Sequence, residues 1–180
     1  MKTFITSDLH FFHGNIIKYC PETRGRFKDA TEMNEYMIHE WNNTVAPDDQ
    51  VFILGDFAFC KPEPAVKLLD RLNGGKILIE GNHDVKLAKD SQFRSRFIGI
   101  HKYYKYRHGR HTVIMFHYPI LEWENCHHGS VHFHGHVHGK KTGREHLRIR
   151  DVGFDATGNV VTDFETILAD ALTGEIGEHH

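Results

Sequence analysis

The chain has 180 residues, 26% of them charged and 39% hydrophobic, with a formal net charge of −2 when histidine is neutral. This ordinary globular balance excludes a mainly disordered chain and a uniformly basic nucleic-acid binder, though not a local basic patch. Three scattered cysteines, Cys20, Cys60 and Cys126, form no C-x-x-C pair and exclude a secreted disulfide scaffold, whereas 17 histidines supply far more metal-ligating and acid/base groups than usual.

In chain order, residues 2–6 (KTFIT) read as a strand ending at Ser7-Asp8. No apolar signal segment follows, and no stretch approaches the roughly 20 apolar residues of a membrane span, so the expected location is cytoplasmic. A short helix is expected at 16–20, begun by Gly14 or Asn15, and then an exposed loop at 21–30 (PETRGRFKDA). Asp29 and Glu32 form a capping box ahead of Met33, Tyr36, Met37, Trp41 and Val45, which recur at helical spacing. VFIL (51–54) is the second strand; PEPAVKLLDRLNGG (62–75) is a helix with Val66, Leu69 and Leu72 on one face, stopped by glycines. KILIE (76–80), TVIMF (112–116) and VHFHG (131–135) are further strands. HKYYKYRHGRH (101–111) and KKTGREHLRIR (140–150) interleave basic with aromatic or apolar residues. The reading preferred for both is edge strands with charged outer faces, ahead of a nucleic-acid surface. Thr162 and Glu165 suggest a second capping box before the stripe Phe164, Ile167, Leu168, Ala171 and Leu172. Alternation of strand and helix in the first half implies a parallel sheet. One domain over 1–180 is expected, burying roughly 70% of its unfolded surface; residues 178–180 are set aside as a candidate tag remnant.

The strand ends carry the chemistry. The five strands are followed in turn by Asp8 and His10, by Asp56, by Asn82 and His83, by His117, and by His136 and His138. In open α/β sheets, sites form beyond the carboxyl ends of the strands. A single catalytic ion takes about three protein ligands. Seven candidates are too many for one ion and enough for two that share a carboxylate. Two divalent ions against Asp8 and Asp56 leave an excess of about two positive charges, which favours an anionic substrate such as a phosphate ester.

S-D-L-H at 7–10, G-D at 55–56, G-N-H-D at 81–84, His117 and G-H-V-H at 135–138 together resemble the calcineurin-like metallophosphoesterase family, in the family's order. V-G-F-D-A-T-G at 152–158 resembles the C-terminal segment of its small bacterial and phage members, which lack a capping domain. The resemblance implies an α/β fold, a two-sheet β-sandwich flanked by helices. It implies that Asp8, His10, Asp56 and His138 hold one divalent transition-metal ion, and that Asp56 bridges to a second held by Asn82, His117 and His136. Manganese is the expected metal, with iron, zinc and nickel as alternatives. His83 would be the catalytic non-ligand, donating a proton to the leaving group or steadying charge while a bridging hydroxide attacks phosphorus.

One departure is informative. The phosphoprotein-phosphatase branch continues G-D-x-x-D-R, and this chain has Gly55-Asp56-Phe57-Ala58-Phe59-Cys60. Phe59 replaces the Asp that orients the catalytic His, and Cys60 replaces a phosphate-contacting Arg. That argues against a serine/threonine phosphatase and leaves another carboxylate, Asp84 among the candidates, to orient His83. The interval from His10 to Asp56 is also longer than the family's usual one, so residues 14–45 are expected to supply substrate contacts. The candidates are His13, just after the first motif, with a helix N-cap region as its plainer alternative, and Arg24 and Arg26 in the 21–30 loop, because an Arg fork matches phosphate, with solvated side chains as theirs. His132 and His134 are read as residues alternating on a strand. The expected activity is phosphodiester hydrolysis, on a nucleotide or nucleic-acid end, with phosphomonoesterase as the alternative. A non-catalytic interaction scaffold on the same fold is the remaining reading. A short chain without a capping domain, the missing D-R pair and a His beside a poor alkoxide leaving group favour the diester.

Overall fold

The computed structural model describes residues 1–177; the candidate tag remnant at 178–180 lies outside them. The strands are β1 (Thr3–Thr6), β2 (Gln50–Ile53), β3 (Gly75–Ile79), β4 (Gly99–His101), β5 (Tyr103–His108), β6 (His111–Phe116), β7 (Val131–His134), β8 (Ile149–Asp151) and β9 (Thr162–Asp163), and the α-helices are α1 (Ile16–Tyr19), α2 (Pro21–Arg24), α3 (Ala30–Thr44), α4 (Pro62–Leu69), α5 (Ser91–Arg94), α6 (Phe154–Thr157) and α7 (Phe164–Leu172). They form two sheets, ordered β4-β3-β2-β1-β9 and β5-β6-β7-β8. Strands β1 to β4 are parallel, as the strand–helix alternation implied, and β9 adds an antiparallel edge. In the second sheet β6, β7 and β8 are parallel, with β5 antiparallel to β6. The result is an α/β fold of two sheets flanked by helices.

Period-two alternation divides the apolar residues between two cores. Phe4, Val51, Ile53 and Leu78 point to one face of the first sheet, where they meet Met33, Met37 and Trp41 of α3 (Ala30–Thr44) and Ala65, Leu68 and Leu69 of α4 (Pro62–Leu69). Their neighbours Ile5, Phe52, Leu54, Ile77 and Ile79 point the other way, against Val113, Met115, Val131 and Phe133 of the second sheet. Helix α7 (Phe164–Leu172) adds Phe164, Leu168 and Ala171 to this inter-sheet core. Beyond the second sheet, Ile114 and Ile149 pack under Trp123.

Helix α3 begins at the predicted Asp29 cap, with the return bond of the box shifted by one residue. The Asp29 carboxylate accepts from the Glu32 amide at 2.9 Å, and Glu32 reaches back to the Lys28 amide at 2.8 Å. The second capping box is displaced by one residue. Thr162 is spent on β9, paired with Ile5, so Asp163 caps α7 by accepting from Thr166 at 3.0 Å, and Glu165 instead holds His108. The expected loop at 21–30 is also corrected. Pro21–Arg24 is a turn of helix, and both Arg24 and Phe27 are buried. β5 and β8 are edge strands, as their charged faces suggested, but β8 takes only two residues of the 140–150 stretch, Ile149 and Arg150. Among the described residues no helix is long and apolar enough to cross a membrane.

Candidate metal centre

Parallel pairing puts the carboxyl ends of β1, β2 and β3 at one edge of their sheet and those of β6 and β7 at one edge of theirs. The pairing continues past the strands. The amides of Asp8, His10 and Phe11 donate to the carbonyls of Gly55, Asp56 and Phe57, each at 3.0 Å. This irregular ladder holds the two leading loops side by side. The sheets meet where the His136 amide donates to Asp8 Oδ2 at 2.9 Å and where His117 Nδ1 donates to the Leu54 carbonyl at 2.7 Å. The approach is close enough to require glycine at two points. A Cβ on Gly135 would lie 1.9 Å from Ser7 Oγ, and one on Gly81 would lie 2.3 Å from Asp56 Oδ1. The glycines preceding His136 and Asn82 in the motifs are therefore steric requirements.

All seven predicted ligands converge. Asp8, His10 and His138 form one group, and Asp56, His117 and His136 a second. Asp8 Oδ1 is 3.9 Å from both His10 Nε2 and His138 Nε2. Asp56 Oδ2 lies between the groups, 3.7 Å from His10 Nε2 and 3.6 Å from His117 Nε2. Asn82 joins the second group, its Oδ1 3.1 Å from His117 Nε2. The separations around the two carboxylates are too long for hydrogen bonds. They suit donors that face a common ion across bonds of about 2.0–2.2 Å.

Burial tests whether these donors fit a cation. Among the described residues four buried side-chain polar atoms lack a hydrogen-bond partner, and two of them are Asp8 Oδ1 and His10 Nε2. Burial raises the Asp8 carboxyl to about 6, against the lowering pull of His117 and His138. Burial, followed by repulsion from His138, Arg24, His13 and His83, depresses His10 to about 2. A neutral imidazole with its lone pair facing an unpartnered buried carboxylate oxygen is a donor set in want of a cation. The backbone is strained at the same residues. Seven non-glycine residues among those described have positive φ, and Asp8, His10, Asp56, His136 and His138 are five of them, at 54°, 50°, 52°, 71° and 52°. Such conformations cost about 1–3 kcal/mol each and persist only where the surroundings enforce them.

The imidazoles are aimed by their other nitrogens. The Leu54 carbonyl can only accept, so His117 Nδ1 carries the proton and Nε2 offers a lone pair to the centre. Asp155 does the same for His138, accepting from Nδ1 at 2.8 Å. Asp155 lies in the 152–158 motif, but its function did not follow from the sequence. Burial would raise its carboxyl, yet hydrogen bonds from His138, Arg24 and Thr23, together with the Arg24 charge, hold it well below the usual carboxylate range. Cys20 comes near His138 and Asp155 as a third grouping. Its thiol is pushed up to about 11 by burial first and by Asp155 next, so it is no thiolate near neutral pH.

The three expected substrate contacts separate. Arg24 is not one. All five of its N–H donors are committed: Nε and one Nη2 proton to Asp155 at 2.8 Å, the other Nη2 proton to the Asp8 carbonyl at 2.6 Å, and Nη1 to the Leu9 carbonyl at 2.9 Å and to Met33 Sδ at 3.7 Å. It braces the loop that carries Asp8 and His10. Arg26 lies over Tyr36, 4.3 Å from the ring centre, and over Phe27 at 4.9 Å. His13 is at the centre, with Nδ1 3.4 Å from His10 Nδ1 and its ring stacked on Phe59 at 4.5 Å. Asn15 precedes the short helix Ile16–Tyr19 without a side-chain cap.

His83 stands at the rim, its side chain 38% exposed and its Nε2 3.9 Å from Asp56 Oδ2. Asp84 does not orient it. That buried carboxylate accepts from the amides of Asp56, Phe57 and Gly81 and ties the second loop to the third. His83 is placed instead by its own amide, which donates to Asp56 Oδ1 at 2.9 Å, and by Phe59, whose ring meets it edge-on at 5.1 Å. His132 and His134 are buried on β7 and bond to the carbonyls of Ile114 and Gly135 through Nδ1.

No protein-family model matches the chain. It is 27% identical over 212 residues to the gene 66 protein of Mycobacterium phage L5, covering 99% of each. It is 45% identical over 85 residues to the uncharacterized protein MJ1445 of Methanocaldococcus jannaschii, a match that spans 46% of this chain and only 47% of that relative. Among solved structures, the protein of unknown function AQ665 from Aquifex aeolicus superposes with a TM-score of 0.73 at 23% identity, over 92% of this chain and 97% of that one. The nuclease MPE of Pseudomonas putida gives 0.48 at 15% identity, over 76% and 60% of the two chains. YfcE, a phosphoesterase from E. coli, gives 0.41 at 17%, over 91% and 82%. The likeness to the Aquifex aeolicus protein is one of fold.

Proposed function

We propose that this chain is a metal-dependent hydrolase of phosphate esters, with phosphodiesters as its preferred substrates. The observation that carries the reading is the pair of donor groups meeting at Asp56, one of which holds the unpartnered buried atoms Asp8 Oδ1 and His10 Nε2. Asp8, His10, Asp56 and His138 would hold one divalent ion, and Asp56, Asn82, His117 and His136 another. Manganese, iron, zinc and nickel all suit this mixture of imidazole and oxygen donors. When bound, such ions supply Lewis acidity to phosphoryl oxygens and make water a nucleophile near neutral pH.

The chain's own residues supply the rest. Asp155 and the Leu54 carbonyl fix which nitrogen His138 and His117 present. His83 is close to Asp56 and open to solvent, so its Nε2 can pass a proton to a leaving alkoxide at the rim. His13, stacked on Phe59, offers a second imidazole beside it. Two hollows reach the centre, one of about 540 Å³ lined by His138 and Asp155 and one of about 590 Å³ lined by Asn82 and His83. A diester carries a substituent for each, and a monoester for only one.

The test compares bis(p-nitrophenyl) phosphate with p-nitrophenyl phosphate, with Mn²⁺ added. The diester should be the faster, and Asp56→Asn and His83→Ala should each lose most of that rate. Faster monoester hydrolysis would replace the diester reading. No hydrolysis with any of the four metals would favour a scaffold.

A further inference from the structure

The hollow on the His83 side differs in character from the centre it joins. Its apolar part includes Phe59 and Val85, each about half exposed (49% and 48%). Lys61, Lys86 and Lys89 also line it, and among the described residues no aspartate or glutamate does. The lysines that do form ion pairs, Lys67 with Glu63 and Lys105 with Glu124, lie elsewhere. In a chain with a net charge of −2, three un-neutralised ammonium groups in one groove are a local reversal of sign. Phe59 is half exposed although one of its faces is stacked on His13. A small inorganic anion would not use this apolar surface, and an apolar alcohol would not use the lysines. A chain of phosphates interleaved with flat rings uses both.

We propose that this groove is a subsite for a single-stranded oligonucleotide. It takes the nucleotide on the leaving-group side of the scissile phosphate, with the next phosphate against Lys61, Lys86 and Lys89 and the base on Phe59 and Val85. The inference rests on the phosphoesterase reading for the placement of the scissile phosphate, but its binding test does not require turnover.

The experiment uses the full chain with Mn²⁺ and a fluorescent hexathymidylate whose phosphorothioate linkages resist hydrolysis. Kd is read by anisotropy between 50 and 200 mM salt, for the wild type and for the triple variant K61Q/K86Q/K89Q. Each phosphate contact contributes a slope of about 0.7 in log Kd against log salt for single strands. The three lysines hold one phosphate, which makes about 0.7, so the wild type's advantage should shrink roughly two- to threefold across that range. In parallel, kcat/KM for bis(p-nitrophenyl) phosphate, whose leaving ring can enter the hollow but which carries no second phosphate for the lysines, should stay within about twofold. The exposed lysines leave folding nearly untouched on substitution. Unchanged affinity and slope with diester hydrolysis intact would overturn the groove and leave the phosphoesterase reading standing. If the wild type hydrolyses no diester, the phosphoesterase reading fails, and the salt slope still decides whether the groove binds a strand. Competition by tripolyphosphate as strong as by unlabelled hexathymidylate would overturn the strand in favour of a plain polyanion site.

Discussion

Replacing Asp8 with asparagine should stabilise the metal-free chain while abolishing its response to metal. Asp8 is fully buried, its Oδ2 accepts one amide and its Oδ1 has no partner. Burial raises its carboxyl from 3.8 to about 6. A group whose pKa is higher in the folded state contributes stability that is fully present below pH 3.8 and is lost as the pH rises through 6. Two pKa units correspond to about 3 kcal/mol. Asparagine has the same shape, does not titrate, and tolerates the left-handed backbone that Asp8 adopts at φ 54°. In EDTA, Asp8→Asn and wild type should therefore unfold at nearly the same temperature at pH 4. Above pH 6 the variant should gain as much as about 3 kcal/mol, which is roughly 6–12 °C for a chain of this size. Adding Mn²⁺ at a hundred times its Kd should return about 2.7 kcal/mol to the wild type and little to the variant. Thermal unfolding by circular dichroism at both pH values, with and without metal, reads all four quantities. A variant less stable than wild type at pH 8 in EDTA, or a gap that does not change with pH, would refute the account of Asp8 as a carboxylate that awaits a cation.

Arg24→Met removes one partner of a fully buried ion pair and should cost about 3–5 kcal/mol; urea unfolding measures it, and a loss under 1 kcal/mol would mean that Asp155 finds other support. Asp155→Asn should lower metal affinity about 10–100-fold by freeing the His138 ring, read by competition with a chromogenic chelator. Metal affinity should also fall steeply on acidification, because imidazole ligands must be neutral to bind; metal content that held constant well below about pH 5 would contradict a His-rich centre. Phe59→Asp puts a carboxylate where an aromatic edge now meets His83, 5.1 Å between ring centres. A neighbouring negative charge favours imidazolium, so the alkaline limb of the pH–rate profile should move to higher pH, and an unmoved limb would remove His83 from proton transfer.

The strand ends were legible because each is a short apolar run stopped by a polar residue, with glycine beside it at three of the five, and parallel pairing then brings such ends together without further information. The parallel sense of the first sheet was legible too, because α3 and α4 each return the chain to start the next strand in the same direction. What could not be read was long-range pairing. Arg24 and Asp155 are separated by 131 positions, and an arginine in a polar stretch reads as solvated until its partner is known. The shift of the α7 cap from Thr162 to Asp163 came from β9, whose pairing with β1 no local pattern announces. Phe59 read as the loss of an orienting carboxylate. In the folded chain it is a ring between two imidazoles, a gain of packing that only the juxtaposition of residues 13, 59 and 83 makes visible.

The residues that destabilise the metal-free chain are the same ones that would ligate. Five of the seven predicted ligands sit in left-handed backbone, one carries a buried carboxylate oxygen with no partner, and another carries a buried imidazole nitrogen with none. An ordinary polar cluster would relax by rotating side chains toward each other until its hydrogen bonds were made. Here the ladder between the first two loops, the Asp84 clamp and the Arg24 brace prevent that relaxation. Scaffolding of this strength, spent on holding like-facing donors 3.6–3.9 Å around two carboxylates, stabilises the chain only if something positive lies between them. A divalent cation is therefore expected to act on folding as well as on chemistry. It should protect the loops after β1, β2 and β7 from hydrogen exchange more than it protects α3, whose packing does not depend on the centre.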